Sequence, residues 1–152
     1  MLQSEAQYTP MSREVEEVTI RPYQAADEQQ VIELWHLCGL VVPWNDLAQE
    51  IRLKAQVQPE LFLVGIVEGQ VATSVMAGYD GHRGWLYSVA VAPPLQAQGL
   101  GRRMVVEVES RLRELGCHKI NLQVRAGNAA VVGFYERLGY SVEERVSLGK
   151  RL

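Results

Sequence analysis

The sequence predicts a mixed α/β fold, and three observations carry that prediction. Apolar residues alternate over short runs and recur every three to four positions over longer ones, so strand and helix periods take turns along the chain. Turn signals such as Glu68-Gly69, Asp80-Gly81 and Pro93-Pro94 separate these runs. At 152 residues, 47% hydrophobic and 22% charged, the chain is long enough for one domain to bury about 70% of its unfolded surface.

Val18 to Tyr23 reads as the first strand. AADEQQVIELWHLCG then reads as a helix, with Asp27 and Glu28 in its first turn and Gly39 past its end. NDLAQEIRLKAQV gives a second helix after Pro43, with Asn45 or Asp46 as N-cap. LFLVGIVEGQVATSVMAGY is two β-rich runs joined at Glu68-Gly69, a hairpin pattern. DGHRG makes the next turn and WLYSVAV the next strand, which Pro93 and Pro94 stop because neither ring nitrogen donates to a ladder. A helix from Gly99 to Leu115 follows, with Leu100, Met104, Val108, Leu112 and Leu115 as its apolar stripe. KINLQV is a strand, NAAVVGFYERL a short helix ended by Gly139, and YSVEERVSL supplies the closing strand or strands.

Composition excludes several classes of function. A net charge of -3 argues against a nucleic-acid surface, which shows as a basic excess. Cys38 and Cys117 make neither a disulfide framework nor a metal cluster and read as small buried hydrophobes. The polar start MLQSEAQYTPMSREVEE lacks the apolar core of a signal peptide, and no apolar run approaches a membrane span of ~20 residues. Residues 1–17 are expected to be a disordered leader, of which the first ten could be dispensable given Met11, and residues 18–152 a single domain in a reducing cytoplasm.

QAQGLGRR, Gln96 to Arg103, opens the long helix against the usual charge rule. First helical turns favour Asp and Glu because the macrodipole leaves partial positive charge there. This one carries Arg102 and Arg103, with no acid before Glu107. The dinucleotide fingerprint needs a third glycine where Met104 stands, and the Walker A lysine is absent. A strand–loop–helix with backbone N–H groups converging at the helix start binds anions, especially phosphates. A seated phosphate makes the two arginines countercharges. A plain tight turn is the competing reading of the glycines, and the reversed charge pattern favours the anion.

Gln96-x-x-Gly99-x-Gly101 resembles the Q/R-x-x-G-x-G/A motif of the GNAT superfamily of N-acetyltransferases. SVAVAPP resembles that family's central strand and NAAVVGFYERLGY its second cofactor segment. PWND, GYDGHRG, YERLGY and VSLGKRL look like the YpeA-type bacterial members, and the element order agrees from about Val18 onward. The resemblance implies a GNAT-like acyl-CoA N-acyltransferase fold: α/β, with a central, mostly antiparallel mixed sheet flanked by helices. It implies acetyl-CoA as co-substrate, without a metal, its pyrophosphate held at Gln96, Ala97, Gln98, Gly99, Leu100, Gly101 and Arg102. Val89 and Val91 would run along the pantetheine arm, Asn128 would hydrogen-bond the cofactor, and Tyr135 would protonate the departing thiolate. Gln96 stands where many relatives carry arginine, a missing charge for which Arg102 and Arg103 compensate.

Acetyl transfer to an amine needs a neutral amine, a polarised carbonyl, in-line placement and a stabilised thiolate. Asn128 and Tyr135, seven residues apart, fall on one helical face. A core aromatic beside Phe134 is the competing role for Tyr135. Some GNAT members carry a glutamate on the central strand, but WLYSVAV contains no acid. Asp46, Asp80 and His82 are the remaining base candidates, imidazole being the group that titrates nearest neutral pH. Asp80-Gly81 is also a hairpin signal, and for Asp80 and His82 the turn role is preferred. Trp44, Asn45, Asp46, Tyr79, His82 and Arg83, with Trp85, are the candidate walls of an acceptor site. Asp46 suits a cationic amine there and Arg83 a carboxylate, while both read equally as solvated surface charges. Trp44 and Trp85 read more readily as packing residues. The expected activity is direct transfer, in a ternary complex, to a primary amine whose identity the sequence does not name. The alternative is a non-catalytic acyl-CoA-binding or sensing module. Nucleic acid and membrane are not expected partners, while the apolar closing strand offers an edge for a homodimer.

Overall fold

The computed structural model describes residues 17–152. The leader expected over residues 1–17 therefore lies outside the described residues, apart from Glu17. Two compact units divide the chain, one ending at Leu122 and the other beginning at Gln123.

The first unit runs β1 (Thr19–Pro22), α1 (Glu28–Leu37), α2 (Leu47–Lys54), β2 (Phe62–Val67), β3 (Gln70–Tyr79), β4 (Gly84–Val91), α3 (Leu100–Glu114) and β5 (Ile120–Leu122). Its strands form one sheet in sequence order. β1 to β4 are antiparallel neighbours, whereas β5 lies parallel to β4. Parallel neighbours need a crossover, which α3 supplies.

Local chemistry sets the joints. Glu68 and Gly69 both take positive φ, 50° and 78°, the geometry of a tight two-residue hairpin turn whose twist matches its strands. The Asp46 carboxylate accepts the Gln49 N–H at 3.1 Å and caps α2. Asp27 lies in a short 3-10 turn ahead of α1, accepting the Gln24 N–H at 2.8 Å and both arms of the Arg21 guanidinium at 2.7 and 2.9 Å.

α1 and α2 cover one face of the sheet, packing Val31, Leu34, Trp35, Leu47 and Ile51 on Phe62, Val64 and Ala90. Tyr23 stacks on Phe62 with ring centroids 4.5 Å apart. α3 covers the opposite face through Leu100, Met104, Val105, Val108 and Leu112, each at most 1% exposed. Leu115, expected in that stripe, is exposed instead. It is the C-cap residue, where the chain turns away through Gly116 at φ 93°.

The second unit holds α4 (Ala129–Arg137). Gly139 takes φ 97°, and the Tyr140 N–H returns to the Tyr135 carbonyl at 3.0 Å, a Schellman-type end. The closing strand expected over YSVEERVSL is not formed: residues 140–152 carry no strand. Val142, Val146 and Leu148 are 75%, 86% and 92% exposed. Alternation makes a strand only against a partner that takes up its backbone groups and covers its apolar side, and this unit contains no other strand. The strand edge expected to pair with a second copy is therefore not present in that form.

Candidate functional site

β4 is paired on one side along its length and on the other for only part of it. β3 pairs with it from Gly84 to Val91, whereas β5 meets only Gly84, Trp85 and Leu86. Among the described residues, no strand pairs with Tyr87 to Val91 on the β5 side. Apart from the Val91 carbonyl, which the Cys38 and Gln96 side chains take up, that half of β4 presents backbone donors and acceptors that no strand pairs, which an extended ligand can join. It also contains a bulge: Ser74 faces Ala90 and Met76 faces Tyr87, so Val75 alone opposes both Ser88 and Val89. Ser88 takes φ 50°, a left-handed conformation unusual for a residue with a Cβ.

The open half ends at the glycine loop. Val91 is followed by a 3-10 turn, Pro93–Leu95, and then by Gln96 in extended conformation. Ala97 and Gly99 both take positive φ, 62° and 86°. Alternating backbone hands turn successive N–H groups toward one side, the geometry of an anion-holding nest. Gly99 is the N-cap of α3 and has no side chain to cap with, so the helix start keeps its N–H groups uncapped by side chains. The Gln96 side chain donates to the Val91 carbonyl at 2.9 Å and Gln98 donates to that of Pro94 at 3.4 Å. Both glutamines brace the loop. Leu100 is buried at 1% exposure, its side chain belonging to the core.

Positions 99, 102, 103, 106, 107 and 110 form the face of α3 opposite its core stripe. With Ile20 of β1 they line a groove of about 570 Å³. Arg102 and Arg103 stand at the Gly99 end, while Glu107 is held by Arg111 at 3.0 Å. The groove mouth is therefore cationic where the helix dipole is also positive.

On α4, Asn128 is the N-cap and its Oδ1 accepts the Val131 N–H at 3.3 Å. Tyr135 is buried, with Phe134 and Tyr140 edge-on at 5.0 and 5.6 Å. Burial pushes its phenol up to about 12.

The acceptor-site candidates fall into two groups. Trp44, Asn45 and Asp46 sit at the entry to α2, with Trp44 exposed and Asp46 occupied as its cap. Tyr79, His82 and Arg83 belong to the β3–β4 turn. Tyr79 donates to the carbonyls of Gly81 and Gly116 at 3.3 and 3.4 Å. Asp80 accepts the N–H groups of Arg83 and His82 at 2.8 and 2.7 Å, which hold its carboxyl below the usual range. The whole length of β4 separates this turn from the glycine loop, on the order of 20 Å at strand rise.

Sequence reasoning passed over Thr73, Ser74 and Tyr87. Two adjacent hydroxyls inside the apolar run VATSVMAGY were the available signal. Tyr87, beside the bulge, is half exposed in a central strand. Among the described residues, no group of His, Cys, Asp or Glu side chains is placed to hold a metal, and no helix is long and apolar enough to cross a membrane.

The GNAT acetyltransferase family model matches residues 23–140. An acetyltransferase of Yersinia enterocolitica is 44% identical over 133 residues, covering 88% of this chain and 94% of that relative. One from Pectobacterium atrosepticum matches with the same identity and coverage. The ribosomal-protein-S18-alanine N-acetyltransferase of Escherichia coli superposes with a TM-score of 0.69 at 26% identity, over 81% of this chain and 77% of that one. AAC(6')-Iy, in complex with the bisubstrate analogue CoA-S-monomethyl-acetylneamine, gives a TM-score of 0.75 over 90% and 99%, a likeness of fold alone at 14% identity. The fold is the GNAT-like one that the sequence implied. With the family model spanning most of the chain and relatives matched over nearly their whole length, the chain belongs to the GNAT acetyltransferase family, as an acetyl-CoA-dependent N-acetyltransferase.

Proposed function

We propose that this protein transfers the acetyl group of acetyl-CoA directly to a primary amine, of a small molecule, an amino acid or a protein, within a ternary complex. Residues 18–152 act in this reading as one catalytic domain. The observation that carries it is the continuity of the open half of β4 with the uncapped, cation-flanked start of α3. Pantetheine amides pair along Val89 and Val91, and the pyrophosphate sits on the N–H groups from Ala97 to Arg102, with Gln96 bracing that loop. Asn128 contributes its side-chain amide to the cofactor. The amine nitrogen attacks the thioester carbon, the C–S bond breaks, and the thiolate takes its proton from Tyr135. A phenol raised to about 12 stays protonated at neutral pH and is able to donate. β4 contains no carboxylate, and Asp80 is spent on its own turn, so the amine gives up its proton to solvent. The acceptor is held by the segment Trp44 to Asp46 and by the turn bearing Tyr79, His82 and Arg83. Protein N-terminal amines belong in the acceptor panel because the E. coli relative in fold is an alanine N-acetyltransferase of a ribosomal protein.

The test is thiol release from acetyl-CoA across amines, amino acids and N-terminal peptides. One acceptor class should raise release well above hydrolysis, with initial rates requiring both substrates together. Release of CoA before the acceptor binds, or an acetylated enzyme, would overturn the ternary mechanism.

A further inference from the structure

The strained bulge of β4 does not stand unsupported. Ser74 on β3 reaches the Ser88 carbonyl at 3.5 Å and accepts the indole N–H of Trp35, on α1, at 2.9 Å. Thr73 donates to the Ala90 carbonyl at 2.6 Å. Thr73 and Ser74 are completely buried, and Trp35 is 2% exposed. The two carbonyls flanking Val89 thus accept from hydroxyls of β3. At the end of the strand, the Val91 carbonyl accepts from Cys38 at 3.2 Å and from Gln96 at 2.9 Å. These side chains hold the half of β4 that β5 leaves unpaired.

A residue with a Cβ at φ 50° is strained and persists only where its surroundings over-determine it. Buried hydroxyls inside an apolar strand also need a reason, since valine and alanine would pack there without a desolvation cost. Both facts have one explanation. We propose that Trp35, Ser74 and Thr73 are positioning residues for acetyl-CoA: they lock the bulge at Ser88, which keeps the Val89 backbone out of the β3 ladder and free to receive the cofactor. The proposal rests on the reading of β4 as the cofactor strand. None of the three touches the cofactor; they act through Ser88 and Ala90.

The test uses the full chain with Ser74→Ala, and with Trp35→Phe, which keeps a ring against Phe62 but loses the N–H. Acetyl-CoA affinity should fall about 3- to 10-fold in each, the scale of one lost hydrogen bond. Adding Ser88→Gly, which adopts positive φ without strain, should restore the affinity of Ser74→Ala to near that of the unaltered protein. In ligand-free protein, hydrogen exchange should quicken at Ser88 to Ala90 in Ser74→Ala and Trp35→Phe. Unchanged affinity with only a lower Tm, or a loss that Ser88→Gly does not recover, would overturn the proposal. If Ser74→Ala does not fold, Trp35→Phe with and without Ser88→Gly decides by the same criteria. A protein that binds no acetyl-CoA even unaltered would sink the cofactor-strand reading instead, and the ligand-free exchange still decides whether the network holds the bulge.

Discussion

The side-chain amide of Gln96 donates to the Val91 carbonyl at 2.9 Å, fastening the glycine loop to the end of β4. Gln96, which the family resemblance implies at the pyrophosphate, spends its side chain as a brace. The backbone of the loop, with Ala97 and Gly99 at positive φ, is the part proposed to meet the pyrophosphate. Glutamine reaches a carbonyl as a neutral donor, and the charge is left to the helix start.

Gly99 tests that arrangement. At φ 86° any side chain is strained, and a β-branched one most of all. Gly99→Val should weaken acetyl-CoA binding by roughly 10-fold or more, measured by calorimetry. Acetyl-pantetheine, which lacks the nucleotide and its phosphates, should bind far more weakly than acetyl-CoA to the unaltered protein. Equal affinities would remove the phosphates from the loop.

Arg102 lies exposed in the first turn of α3, where the helix dipole disfavours a cation. Arg102→Glu should stabilise the ligand-free protein by ~0.3–1 kcal/mol and cut acetyl-CoA affinity by about 10-fold. Thermal melts with and without the cofactor should therefore shift in opposite directions.

Tyr135→Phe should lower kcat by roughly 10²–10⁴ while leaving acetyl-CoA affinity nearly unchanged, since only the hydroxyl goes. A pH prediction accompanies it. Burial raises the phenol to about 12, against ~10 in the unfolded chain, so the folded state holds its proton more tightly. That contribution is fully present below pH ~10 and is lost as pH rises toward 12, ~2–3 kcal/mol in all. Alkaline unfolding of Tyr135→Phe should lack this component.

Asp27 works in the opposite sense. Its bidentate bond from Arg21, aided by the Gln24 N–H, holds the carboxyl below the usual range. The stability it adds is present above the unfolded value of ~3.9 and is lost as pH falls through the lower folded value. Asp27→Asn should cost about 1–3 kcal/mol at neutral pH in urea unfolding, with a shallower loss below pH 4.

Much of what depends on near neighbours in the chain was legible in the sequence, Leu115 at the end of its helix excepted. Glu68-Gly69 makes its hairpin because two adjacent residues share the required φ, and Asp46 caps α2 through an atom three residues from its partner N–H. The stripe Leu100, Met104, Val108, Leu112 buries as spaced because helical period is local. The opposition between the arginines after Gly99 and the helix dipole was legible for the same reason, since both belong to one helical turn.

Tertiary structure alone decided what joins distant segments. The bulge at Ser88 has no glycine to announce it; it is set by β3 opposite and by Trp35, bonded to Ser74 across 39 positions. How far β5 follows β4 decides which backbone groups stay open, a matter of pairing and not of β-propensity. The closing segment shows the converse. It alternates apolar and polar residues, yet it forms no strand, because each ladder hydrogen bond of a strand needs its partner on another piece of chain.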